Sequence, residues 1–240
     1  MRKSLLFLCV VFLYSMTGLG QDKLEDWQSA ATWNEGAIVV SSGEVLKGLI
    51  CYNDIEGLLL YRNGEQQKSF TSRNVTSFNF FDIAENKRRL FYSLEYEDPF
   101  HNAKRPLFFE VLKEFKQFAI LIKIDPVLFN QQKGTPINSN SSMKDSNEVI
   151  RAQQTETIYF MNTRGEIEPY LELEISHING IFNDRVKNKR KVLNGDLPKK
   201  YFGKKRYDQI QTYAKENDLK LNRKEDFIKI VDYYEKITIN

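Results

Sequence analysis

Val75-Thr76-Ser77-Phe78-Asn79-Phe80-Phe81 is the stretch whose reading decides the fold. In an extended chain Val75, Ser77, Asn79 and Phe81 share one face and Thr76, Phe78 and Phe80 the other, which points the Phe78 and Phe80 rings at a core. Seven residues of this composition are a strand.

Working outward, the same texture repeats. Ala37 to Ser41, Val45 to Tyr52, Leu58 to Tyr61, Lys68 to Thr71, Leu90 to Tyr96, Leu107 to Leu112 and Phe118 to Ile124 are short runs rich in Val, Ile, Phe and Tyr, too short and too closely spaced for helices. In the seventh strand, the inward pair is Phe109 with Val111 or Phe108 with Leu112, according to register. Ser42-Gly43 and Asn63-Gly64 supply the positive φ of tight turns, and Asn53 to Gly57 suits a longer one. No gap holds a crossover helix, so the sheet is antiparallel and a doubly wound nucleotide-binding fold is excluded.

Beyond this block the stretch 130–154 turns polar, with Asn138-Ser139-Asn140-Ser141-Ser142 at its centre, and is expected as a loop inserted between strands. Thr157 to Met161 and Ile167 to Ile175 resume the strand pattern around Arg164-Gly165. After about residue 183 the period lengthens toward four. Helices are expected over 196–202, 204–216 and 223–237, where Phe227, Ile230, Val231 and Tyr234 form one apolar stripe and Tyr207, Ile210 and Ala214 a matching one. Asn222 and Glu225 suit the N-cap and third position of the last helix.

The expected class is therefore mainly β, an antiparallel sheet or a partly open barrel or sandwich, with a small C-terminal α-helical region. Its divisions are a signal peptide at 1–20, a β-rich domain at 21–183 and a helical region at 184–240 packed on it. Charge follows the same division. Residues 22–184 carry 17 basic and 24 acidic side chains, a balance of −7, whereas 185–236 carry 16 and 8, a balance of +8. The two parts attract weakly.

Arg2 and Lys3 precede an apolar run from Leu5 to Tyr14, and Gly18-Leu19-Gly20 places small residues before a cut at Gln21, which is the pattern of a secretory signal. About 12 apolar residues fall short of the roughly 20 that span a bilayer as helix. Cys9 lies too early in this run, behind bulky Leu8, for a lipoprotein anchor. An exported chain without a transmembrane segment after cleavage is expected, in the periplasm or outside the cell and associated with the envelope. It would retain one thiol, Cys51, in an apolar strand where burial makes it inert.

Trp33-Asn34-Glu35-Gly36, Gly43-Glu44-Val45-Leu46-Lys47-Gly48, Ile50-Cys51-Tyr52-Asn53, Arg105 to Val111 and Lys224 to Tyr234 are similar to segments of a family of uncharacterised secreted proteins of Bacteroidota. The resemblance implies export and carries over no catalytic residue.

Chemistry must then be sought in the residues themselves. His101 and His177 belong to no closely spaced ligand pattern, there is no GxSxG elbow, and Asn53, Asp54 and Glu56 suit a turn without completing a calcium loop. Glu166 with Glu168, and Glu172 with Glu174, share a face if their segments are extended, as on a solvated strand. Asn74-Val75-Thr76 and Asn140-Ser141-Ser142 fit the N-glycosylation pattern and are incidental in a bacterial envelope. No catalytic residue, cofactor or metal site is expected.

The strongest charge feature is Arg185 to Lys191 followed by Lys199, Lys200, Lys204, Lys205 and Arg206. Export argues against nucleic acid as its partner. These last five residues form the expected surface for an anionic partner, whether an envelope protein, an acidic glycan or an anionic lipid. The expectation is an envelope-associated binding or structural protein; the alternative is a secreted hydrolase whose site assembles from distant residues.

Overall fold

Among the described residues period-two alternation produces eleven strands: β1 (Asn34–Val40), β2 (Val45–Asn53), β3 (Leu58–Asn63), β4 (Gln66–Phe70), β5 (Val75–Asp82), β6 (Lys87–Asp98), β7 (Ala103–Glu114), β8 (Phe118–Pro126), β9 (Val149–Asn162), β10 (Ile167–Asn179) and β11 (Asp184–Val192). Three helices follow: α1 (Leu197–Phe202), α2 (Lys204–Glu216) and α3 (Lys224–Ile239). The computed structural model describes residues 32–54, 56–98, 103–126, 149–179 and 184–239. The expected signal peptide, His101 and residues 130–148 of the expected polar loop lie outside them.

All eleven strands join one sheet in the order β11-β10-β9-β8-β7-β6-β5-β1-β2-β3-β4. Every pairing is antiparallel. The sheet is mainly β as expected and is not closed into a barrel. It is nevertheless curled, because β5 pairs with β1 and not with β4. In a flat sheet β4 and β5 would stand roughly 19 Å apart, four strand spacings. The chain from Phe70 to Val75 reaches about 17 Å even when fully extended, and it contains a turn closed by Asn74 N–H donating to the Thr71 carbonyl at 3.0 Å. The first strands must therefore bend round toward β5. The bend passes through Gly36 and Gly48, which face each other across β1 and β2. A Cβ on Gly36 would lie 2.2 Å from the Asn79 carbonyl oxygen, and one on Gly48 2.6 Å from that of Arg62. Two hydroxyls fasten the curl: Ser72 donates to the Pro106 carbonyl at 2.7 Å, and Ser93 donates to the Ser72 carbonyl at 2.6 Å.

Inside the curl lie Ile38, Ile50, Leu59, Tyr61, Val75, Phe78, Phe80, Phe91 and Phe108. Phe78 stacks on Phe91 at 4.5 Å, and Tyr52 of β2 reaches Phe91 and Phe108 on strands that are not its neighbours, at 4.9 and 5.7 Å. Phe78 and Phe80 thus point inward as their alternation requires. Val75 joins them from the other parity because the register shifts between Val39 and Val40 where β1 meets β5. Cys51 is buried on the opposite face, and burial raises its thiol pKa, in keeping with an inert group.

The far half of the sheet is covered by the helices. Phe227, Ile230, Val231 and Tyr234 of α3, Ile210 and Ala214 of α2, and Leu197 and Phe202 of α1 pack on Phe118, Ile120, Ile122, Ile158, Phe160, Tyr170, Leu171 and Leu173. The Tyr170 hydroxyl donates to the Leu221 carbonyl at 2.9 Å, tying the sheet to the α2–α3 turn. Midway along the sheet the reverse face is apolar as well, with Phe109, Ala119, Leu121 and Tyr159 buried. Both inward options for β7 are therefore realised: Phe108 faces the curl and Phe109 the reverse side.

Three differences from expectation bear on the helical half. β9 begins at Val149, so the last residues of the expected loop at 130–154 are strand. Residues 184–192 form β11, so the helical region begins at Leu197 instead of 184. At α3 the backward-reaching carboxylate is that of Asp226, which accepts from the Lys220 N–H at 3.1 Å, where the capping pair had been expected to be Asn222 with Glu225.

Candidate functional site

The five cations of the expected anionic surface come from two adjoining turns. Lys199 and Lys200 close α1, Gly203 takes φ +77° at the corner, and Lys204, Lys205 and Arg206 open α2. No acidic residue lies in the first turn of α2 and no side chain caps it, so three positive charges sit where the helix dipole is also positive. Lys199, Lys204, Lys205 and Arg206 are exposed, and among the described residues none of the three lysines is in an ion pair. Lys200 differs: it donates to Glu168 at 2.6 Å, as Tyr201 does at 2.7 Å, and so holds α1 to β10. These bonds lower the Glu168 pKa, the Lys200 hydrogen bond most, against the upward pull of burial.

Arg206 has a second environment. It lines a hollow of about 360 Å³ between the β7–β8 turn and α3, with Phe115, Lys116, Phe118 and Tyr234. Burial raises the Tyr234 phenol pKa, and the Arg206 guanidinium, which hydrogen-bonds it, opposes that rise. Glu114 and Glu235 also border the hollow, the latter held by Lys113 at 2.6 Å. Lys199, Lys204 and Lys205 thus share one corner with Arg206, which is bonded to Tyr234 and has Lys116 beside it on the hollow.

The other basic run, 185–191, is in β11. There Lys191 stands opposite Glu172 and Lys189 opposite Glu174 of β10, with Lys189 Nζ 3.6 Å from the Glu174 carboxylate. The paired carboxylates accordingly have structural partners. Glu172 and Glu174 do share a face, whereas Glu166 is bound in the β9–β10 turn by Arg164 and Asn162 while Glu168 meets α1. His177 lies in β10 opposite Ala152 and Val186. Among the described residues no group of three or more His, Cys, Asp and Glu is placed to hold a metal ion, and no helix is long and apolar enough to cross a membrane.

A feature hidden in the sequence lies between the two cores. The pairings Leu46↔Ile38↔Phe78↔Phe91↔Glu110↔Ile122↔Ile158↔Leu171↔Val192 run as one row across nine strands, and Glu110 is its single polar member. Its buried carboxylate accepts from Arg89 Nη2 at 2.6 Å. Arg89 also lies 3.5 Å from Asp82 and over the Phe91 and Phe80 rings, and among the described residues its Nε has no hydrogen-bond partner. Next to it, burial pushes the Tyr52 phenol pKa up strongly; Asp54 adds to the rise, Arg89 opposes it and Glu110 adds again. An apolar slot under α3, bordered by Leu112, Ile120, Phe227, Ile228 and Val231, measures about 170 Å³. That is below the roughly 300 Å³ at which small-molecule sites begin. Only knowledge of the strand register reveals this row, since its members are scattered over about 150 residues of chain.

Comparison of the chain with protein-family models, curated proteins and solved structures gave no match.

Proposed function

We propose that this is an exported, envelope-associated binding protein that engages an anionic partner through the corner between α1 and α2. The carrying observation is that Lys199, Lys204, Lys205 and Arg206 meet there, with Lys116 beside Arg206 on the hollow, and that the three cations opening α2 lie at the positive end of its dipole. Each cation in the first turn of a helix costs about 0.3–1 kcal/mol against the dipole. An external anion reverses the sign of that interaction, and uncapped N–H groups add hydrogen-bond donors to it. The partner is an acidic surface of the envelope: an anionic phospholipid headgroup, an acidic glycan or an acidic protein.

The test is binding of the chain, freed of residues 1–20, to vesicles of anionic or zwitterionic phospholipid, to an immobilised acidic polysaccharide and to envelope protein extract. The triple variant Lys204→Gln, Lys205→Gln, Arg206→Gln should bind its preferred target at least about fivefold more weakly, and wild-type binding should fall with salt. A parallel chain lacking 131–147 leaves β9 whole and should bind normally. Equal binding by wild type and triple variant, or no binding to any of the three targets, overturns the proposal.

A further inference from the structure

β11 ends the sheet, and among the described residues its outer edge pairs with no strand. An open edge presents a row of free N–H and C=O groups, a template for another extended chain. Its side chains determine which chain is accepted. On its inner side β11 already recognises an acidic strand: Leu171-Glu172-Leu173-Glu174 of β10 lies opposite Val192-Lys191-Arg190-Lys189. The lysines thus meet carboxylates on one face, while on the other Val192 and Arg190 stand opposite Leu171 and Leu173.

In a sheet each such residue has a neighbour on both sides, so the same alternation is displayed to whatever lies outside. The groups retain capacity for it. The Lys189 side chain is still 64% exposed beside Glu174. Asn188, Arg190 and Lys191 are exposed, and Val192 and Leu193 leave apolar surface open at the strand end. A second copy of β11 is a poor occupant, because antiparallel pairing of two such edges sets like charges opposite each other.

We infer that the outer edge of β11 is a strand-addition site for an extended segment of a partner protein alternating acidic and apolar residues, the pattern β10 presents from within. Main-chain hydrogen bonds supply affinity and the alternating side chains supply selectivity. The site uses residues other than those of the α1–α2 corner, and its test is independent of that proposal.

The probe is a fluorescent, end-blocked heptapeptide alternating Val and Glu, followed by anisotropy against the chain freed of residues 1–20. It should bind at least about tenfold more tightly than the Val-Lys counterpart. N-methylation of one alternate set of its amides should abolish binding, and methylation of the other set should leave it within about twofold, because only one set faces β11. Lys191→Gln, exposed and on the face whose lysines meet carboxylates, should weaken binding about fivefold or more with the circular dichroism unchanged. Absence of binding by the Val-Glu peptide overturns the inference. So does equal binding of the two methylated peptides, which would reduce the contact to charge attraction.

Discussion

Glu110 is a charge in a row of eight apolar partners, and its burial is tolerable only because Arg89 is there. Removing one member of such a pair strands the other in a desolvated site, at about 3–5 kcal/mol, while replacing both by apolar groups of similar volume is often neutral. Arg89→Met leaves Glu110 with Lys87 at 3.9 Å as its nearest remaining cation and should show that full loss. Glu110→Leu leaves Arg89 beside Asp82 and should cost less. The double variant continues the apolar row from Phe91 to Ile122 and should return to within about 1 kcal/mol of wild type. Urea unfolding of the four chains measures this cycle; losses that simply add would show that the pair is not a unit. This site was illegible in the sequence. Phe108 and Phe109 announce two possible inward faces for β7, but that Glu110 lies between two cores follows from pairings made over long sequence separations, which local alternation does not encode.

At the level of elements, legibility depended on where each element finds its partner. The stripe of α3 is local, at spacings three and four, and its four residues are buried as expected. β11 is different: Asp184–Val192 has only two valines among nine residues and reads as a basic tail. It becomes a strand because β10 beside it offers carboxylates at matching positions. The short helix α1 is held in a similar way, by Lys200 and Tyr201 on Glu168. Since the native Glu168 pKa is lowered, its contribution is fully present above the ordinary value of 4.5 and is lost as pH falls through the lower native value. Glu168→Gln should therefore lower the thermal midpoint at neutral pH, with the difference shrinking below pH 4.5 as wild type loses the same interaction. A difference that stays constant down to about pH 3 would assign the effect to shape instead of charge.

For the molecule as a whole, one sheet face carries two cores that are covered by different means. The first strands cover themselves by curling, as the short β4–β5 connection obliges them to, whereas β8, β9 and β10 depend on the helices. The charge imbalance of the two parts is partly resolved at this junction: Lys200 meets Glu168, and Lys224 meets the buried carboxylate of Glu156. The helices thus complete the fold and are no detachable module. A chain ending at Gly203 loses Ile210, Phe227, Ile230, Val231 and Tyr234 and uncovers Ile122, Ile158, Phe160 and Leu171, a contiguous apolar surface of the kind that drives association. It should be far less soluble than the full chain. In its soluble fraction, hydrogen exchange should quicken in β8, β9 and β10, while β1, β2 and β5, whose core includes no helix residue, keep most of their protection. If β8 to β10 stayed as protected as in the full chain, the helices would be an appended domain. The two halves would then have to be treated as separately stable bodies.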